Sequence, residues 1–150
     1  MSNSEITQLA IKEIDRYGNA FLDLLRTVDE DALWIKYGKI PNSIGTLARH
    51  LTGNINHFLG GGILKNGYKR DREKEFSETG IAKLRVISDL QNALAVAREA
   101  LMPLDAARLA QPYRDPDGME YESLAYHLFR LVTHFVYHCG QAAYAKKFVG

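Results

Sequence analysis

All five histidines of this 150-residue sequence fall in two segments with helical spacing. In the first, His50, Asn54 and His57 are separated by four and three residues. In the second, His127, His134, His138 and Gln141 are separated by seven, four and three. A helix turns about 100° per residue, so each set forms one stripe. Both stripes run along one edge of the apolar face of their helix, and two such edges brought together would enclose a polar pocket. His134 and His138 lie one turn apart, with β-carbons about 5–6 Å from each other. Imidazoles so placed can converge on one ion at metal–nitrogen distances of about 2.0–2.1 Å. A third nitrogen from another helix would complete a facial set and leave room for water or substrate, as catalytic sites do. The competing reading is plainer. A histidine near an apolar face is commonly a hydrogen-bonded, partly buried residue, and His57 and His127 are read that way. Spacing alone leaves both readings open for His134 and His138.

Other chemistries find little support. The sequence has no G-x-S-x-G elbow, no Walker-type loop and no G-x-G-x-x-G. Gly60-Gly61-Gly62 lacks the lysine and the preceding strand of a phosphate loop. Cys139 should point about 100° away from His138 and reads as a small packing residue. No pair of carboxylates stands out for acid–base work. The mixed charges from Lys69 to Glu78 read as a solvated loop.

Four long segments with helical periodicity must position these residues, and no segment alternates as a half-buried strand would. The first spans about Ser4 to Thr27, with a stripe of Ala10, Ile14, Tyr17, Phe21, Leu24 and Val28. A connector from Asp29 to Pro41 contains Trp34. The second helix starts at Asn42 or Ser43, either of which can cap it. Its stripe is Ile44, Leu47, Leu51, Ile55 and Phe58, and the triple glycine ends or frays it. Lys65 to Glu78 is expected to be loop. The third helix covers roughly Ala82 to Met102 on Ile87, Leu90, Leu94, Ala97 and Leu101, and Pro103 stops it. Leu104 to Gln111 suits a short helical turn, and Asp115-Pro116-Asp117-Gly118 a tight turn. The fourth helix covers about Glu122 to Lys147 on Leu124, Leu128, Leu131, Phe135 and Ala142. Four such stripes joined by modest connections predict an all-α four-helix bundle in one domain, residues 1–150.

Composition bounds the partners. The chain is 46% hydrophobic and 25% charged, ordinary for a globular protein. With 19 basic and 18 acidic residues its net charge is +1, which gives no electrostatic case for nucleic acid or an anionic membrane. No apolar run is long enough to span a bilayer. The opening residues lack the pattern of a secretory signal, and the one cysteine cannot form an internal disulfide. A cytoplasmic location is the expectation.

The segment His134-Phe135-Val136-Tyr137-His138-Cys139-Gly140-Gln141 resembles the final-helix motif of the DinB-like superfamily: His, three residues, His, one residue, Gly-Gln. Pro41 to Leu51 resembles its second-helix motif, in which a metal-binding histidine precedes a leucine, here His50 before Leu51. Arg70-Asp71-Arg72-Glu73-Lys74-Glu75-Phe76 resembles a loop motif of one uncharacterised branch. The likeness covers nearly the whole chain in order and spacing. It implies an up-down-down-up-type bundle, often homodimeric, with zinc or nickel held by three histidines, here His50, His134 and His138. Relatives include thiol-dependent S-transferases and a thiol-dependent isomerase, so a low-molecular-weight thiol and a small-molecule substrate are implied. His57 matches no motif position and stands as a residue behind the ligands or an alternative ligand. Arg72 could reach over the pocket to an anionic substrate, and Asn54 or Gln141 could orient a ligand.

Three functions follow as expectations. The first is a metal-dependent transferase or hydrolase of the DinB-like type. The second is a non-catalytic dimeric module for a small ligand or protein, with structural histidines. The third, ranked last, is a metal store or sensor. It lacks support because the sequence has neither a second metal cluster nor a basic recognition helix.

Overall fold

The computed structural model describes residues 4–149 and is mainly helical. Helix α1 spans Glu5–Thr27. Ser4 starts it, its hydroxyl accepting from the Thr7 amide, which satisfies a free donor of the first turn. Ala10, Ile11, Ile14, Phe21, Leu22 and Leu25 form its buried face. Tyr17 and Leu24, assigned to the stripe from sequence, lie at its partly buried edge. After a 3-10 turn at Ala32–Trp34, helix α2 spans Ile44–Ile55, capped by Ser43 through the Thr46 amide.

The triple glycine neither stops nor frays α2. The helix runs on as a π-helical turn over Asn56–Ile63, closed by a bond from the Leu64 amide to the Leu59 carbonyl. The glycines answer close neighbours instead. A β-carbon on Gly62 would sit 2.8 Å from the Tyr113 hydroxyl and 3.1 Å from Pro116. One on Gly60 would sit 2.8 Å from the Asn66 amide nitrogen. Three glycines in a row read as a stop because sequence shows conformational freedom and hides what packs against it.

The charged segment is also more ordered than its composition suggests. Helix α3 spans Arg72–Ser77, with the Asp71 carboxylate accepting from the Lys74 amide at its start. Helix α4 spans Lys83–Leu101, α5 spans Ala106–Leu109 and α6 spans Leu124–Val149. Between the last two, the strands Tyr113–Arg114 (β1) and Glu120–Tyr121 (β2) pair antiparallel around the Asp115–Gly118 turn. Two-residue strands are too short to show alternation, so this hairpin goes beyond the all-helical expectation.

The long helices pack in a closed circuit: α1 on α4 and α6, and α2 on the same two. The core within it includes Leu25, Leu47, Leu51, Leu90, Leu101, Leu124 and Phe135. No helix among the described residues is long and apolar enough to cross a membrane.

Candidate metal centre

Contact between α2 and α6 sets His50 against His134 and His138. Leu47 and Leu51 on α2 and Phe135 and Cys139 on α6 are buried. Their helical neighbours His50, His134 and His138 therefore sit where the two helices meet. His50 Nε2 lies 3.2 Å from His134 Nε2, and His138 Nε2 lies 3.0 Å from that same atom. Two nitrogens each about 2.0–2.1 Å from one ion, at the angles usual for such ions, are themselves about 3 Å apart. The rings stand nearly perpendicular to one another, at 77° to 85°, and so meet by their edges rather than stacking. Among the described residues these three form the one group of histidine, cysteine or acidic side chains with donor atoms all within 4.8 Å.

The atoms behind the ligands decide what the cluster can hold. His138 Nδ1 lies 2.7 Å from Gln141 Oε1, an acceptor, so this nitrogen donates and Nε2 keeps its lone pair. His50 Nδ1 lies 3.2 Å from Glu75 Oε1. Arg70 grips that carboxylate with two bonds, Nε to Oε2 at 2.7 Å and a terminal nitrogen to Oε1 at 2.8 Å. Burial pushes the Glu75 carboxyl up, but the bonds from Arg70 and His50 outweigh it and hold it below the usual carboxylate range. His134 is pushed down to about 4, by burial first and then by His138, His50 and nearby arginines. His138 is lowered too, chiefly by burial, with the Gln141 bond opposing. His134 and His138 are thus biased toward the neutral form, and with His50 they bring three ring nitrogens together at close range, a donor set that fits a divalent cation.

Other residues singled out from sequence lie elsewhere. His57 Nε2 bonds Asp117 Oδ1 at 2.7 Å, in the hairpin turn. His127 is buried among the rings of Phe58, Tyr113 and Tyr121. Asn54 lines a void of about 10 Å³ with apolar side chains, among them Ile14, Leu131 and Phe135. The Arg72 guanidinium lies over the Phe76 ring, 5.0 Å from its centre. Burial pushes the Cys139 thiol up to about 12, which suits packing and not nucleophilic attack. Glu75 and Arg70 are the residues that sequence reasoning missed. They sit in a stretch of alternating charge that reads as a solvated loop; its resemblance to a family loop motif is the signal that marks it, and its capped helix shows it to be ordered.

Beside the cluster is a cleft of about 600 Å³ lined by Ile40, Pro41, Asn42, Leu47, Tyr137, Gly140, Gln141 and Tyr144. Gln141 belongs both to this lining and to the His138 hydrogen bond.

The protein is thus a mainly helical one in which α2 and α6 bring together three histidines that could hold a metal ion. It belongs to the family DUF1572, described as proteins of unknown function, whose profile matches residues 3–150. A search of curated proteins finds no match.

Proposed function

We propose that the protein is a divalent-metal-dependent enzyme of the DinB-like type, a thiol-dependent S-transferase or a hydrolase, with His50, His134 and His138 as ligands. The observation that carries this reading is the approach of His50 Nε2 and His138 Nε2 to 3.2 and 3.0 Å from His134 Nε2, all three ligand atoms lying within 4.8 Å of one another, with two of the opposite ring nitrogens held by acceptors. We read the circuit of long helices as an up-down-down-up four-helix bundle. A zinc or nickel ion with three neutral ligands keeps its full charge and so lowers the pKa of a water or thiol beside it. Gln141 and Glu75 hold their imidazoles in the ligating orientation. The largely apolar cleft would take the body of a small substrate, with Asn42 and Gln141 as its polar contacts.

Elemental analysis of untagged wild type and His138→Ala tests the reading. About one zinc or nickel per chain, lost in the variant with helicity retained, supports it. Retained stoichiometric metal in the variant sinks the ligand assignment. A second reading rests on the cleft, whose lining includes none of the three histidines. It makes the protein a non-catalytic small-ligand module, and it predicts metal-free protein even after supply of zinc or nickel.

We also propose a second copy of the chain as partner. Between Leu131 and Ala145, α6 carries no Asp, Glu, Lys or Arg, and it exposes Thr133, Tyr137, Gly140 and Tyr144. An uncharged helical face can meet its own copy across a two-fold axis without like-charge repulsion.

A further inference from the structure

His134 and His138 are fixed to each other by one helix. His50 comes from a different helix and must be aimed separately. Three side chains of the charged segment converge on it. Glu75 faces its Nδ1 at 3.2 Å, the Phe76 ring packs against the imidazole at 4.8 Å between centres, and Arg70 secures Glu75. Arg70 in turn lies over the Phe58 ring, 6.0 Å from its centre. All of this depends on a glycine. A β-carbon on Gly53, one turn after His50, would sit 1.9 Å from Glu75 Oε2. Only a bare α-carbon lets the carboxylate reach the imidazole from this side.

We propose that Gly53, Arg70 and Glu75 form a positioning clamp that selects the Nδ1–H tautomer of His50 and so aims its Nε2 lone pair at the shared metal position. The clamp rests on the three-histidine reading for its purpose but not for its existence. A carboxylate can only accept, so the nitrogen facing it must carry the hydrogen. A rival arrangement exists within the same contacts. An Arg70 terminal nitrogen lies 3.4 Å from His50 Nδ1, and a bond donated there would put the hydrogen on Nε2 and block ligation. That nitrogen is already committed to Glu75 Oε1 at 2.8 Å, which favours the carboxylate as the partner of Nδ1. The segment from Arg70 to Phe76 is therefore part of the centre and not a solvated connector. A carboxylate behind a ligating histidine fixes the ring and raises its basicity, and losing it typically weakens metal binding about 10–100-fold.

The test has two arms. In metal-free, 15N-labelled wild type, long-range proton–nitrogen spectra should show His50 as the Nδ1–H tautomer. Gly53→Ala keeps every polar group but displaces the end of the Glu75 side chain, so the His50 tautomer should become mixed. Zinc competition against a chromophoric chelator should then show one site per chain in both proteins. Affinity should fall about 10–100-fold in Gly53→Ala. Glu75→Ala leaves the Arg70 charge buried and unpaired, so it is made together with Arg70→Ala, and the same loss is expected. Glu75→Gln keeps an oxygen that accepts from Nδ1–H but would set its NH2 against Arg70 Nε and remove that residue's counter-charge, so it too is made together with Arg70→Ala; this pair should retain the tautomer and most of the affinity. An Nε2–H tautomer in wild type overturns the clamp, as do zinc affinities of Gly53→Ala and the Glu75→Ala double variant within twofold of wild type. Failure of wild type to take up zinc defeats the proposed function. The tautomer arm then decides the clamp alone: Nδ1–H lost in Gly53→Ala upholds it, and any other pattern rejects it.

Discussion

His127 shows that a histidine on the same stripe as two candidate metal ligands can have an unrelated role. It is 1% exposed, ringed by Phe58, Tyr113 and Tyr121, and among the described residues neither ring nitrogen has a hydrogen-bond partner. Burial pushes it down to about 4, with Asp115 opposing and Arg130 adding to the effect. Its folded-state value lies below the unfolded one, so the unfolded chain binds the proton first. The neutral ring's contribution is complete above about pH 6.5 and is lost as pH falls toward 4. The loss amounts to roughly 3 kcal/mol at about 1.4 kcal/mol per unit. His127→Phe fills a similar volume without unpaired nitrogens. We expect chemical denaturation at pH 7 to show a gain of about 1 kcal/mol, from the desolvation cost removed. Denaturation curves of the variant from pH 7 to 4.5 should be visibly flatter than those of wild type. A variant less stable than wild type at both pH values would mean that its nitrogens have partners after all. The sequence placed His127 on the stripe and read it as structural, and the aromatic cage supplies the reason. The hydrogen bond of His57 to Asp117 was out of reach, because the partner is 60 residues away in a turn.

Among the elements, the long helices were legible and their joints were not. The stripes of α1, α2, α4 and α6 place most of the observed core, because a buried face leaves a mark every three or four residues. A six-residue helix such as α3 leaves no such period, and its Glu75 looks like any surface acid until its partners Arg70 and His50 are seen. Glycines carry the same ambiguity, and two of them make opposite predictions. Gly45, in the first turn of α2, has the Trp34 ring so close that a β-carbon would lie 2.7 Å from it. That ring is held by its Nε1 bond to the Ile81 carbonyl and cannot swing aside freely. Gly45→Ala should therefore cost about 1–3 kcal/mol, the usual range for overpacking. Gly140, inside α6, has nothing within 4 Å of the same position. In the single chain, Gly140→Ala should raise stability by about 0.5–1 kcal/mol, the helix propensity difference, and any loss of stability would come from the second copy proposed to cover this face. Urea melts of the two variants check both signs. A destabilised Gly140→Ala would point to a surface that is covered in solution.

For the whole molecule, the proposed dimer face and the candidate metal centre meet on one helix. The face of α6 between Leu131 and Ala145 offers Tyr137, Gly140 and Tyr144 to a partner, and the same residues line the cleft beside the histidines. A two-fold contact there would close one side of the cleft with the partner's own α6. Sedimentation should then show a dimer. Tyr144→Glu places a like charge on both copies of the face and should shift the protein to monomer with its metal content unchanged, because Tyr144 touches none of the ligands. Metal and fold are linked through the same helix pair. The three ligands come together only when α2 packs on α6, so an ion that binds the folded state alone must stabilise it. At free metal a hundredfold above the dissociation constant the gain is about 2.7 kcal/mol. A chelator should thus lower the melting temperature of wild type and leave His138→Ala unmoved. Chelation that leaves the wild-type melting temperature unmoved would mean that the histidines meet without an ion. The close approach of the three Nε2 atoms would then need a hydrogen on His134 Nε2, donated to one of the other two.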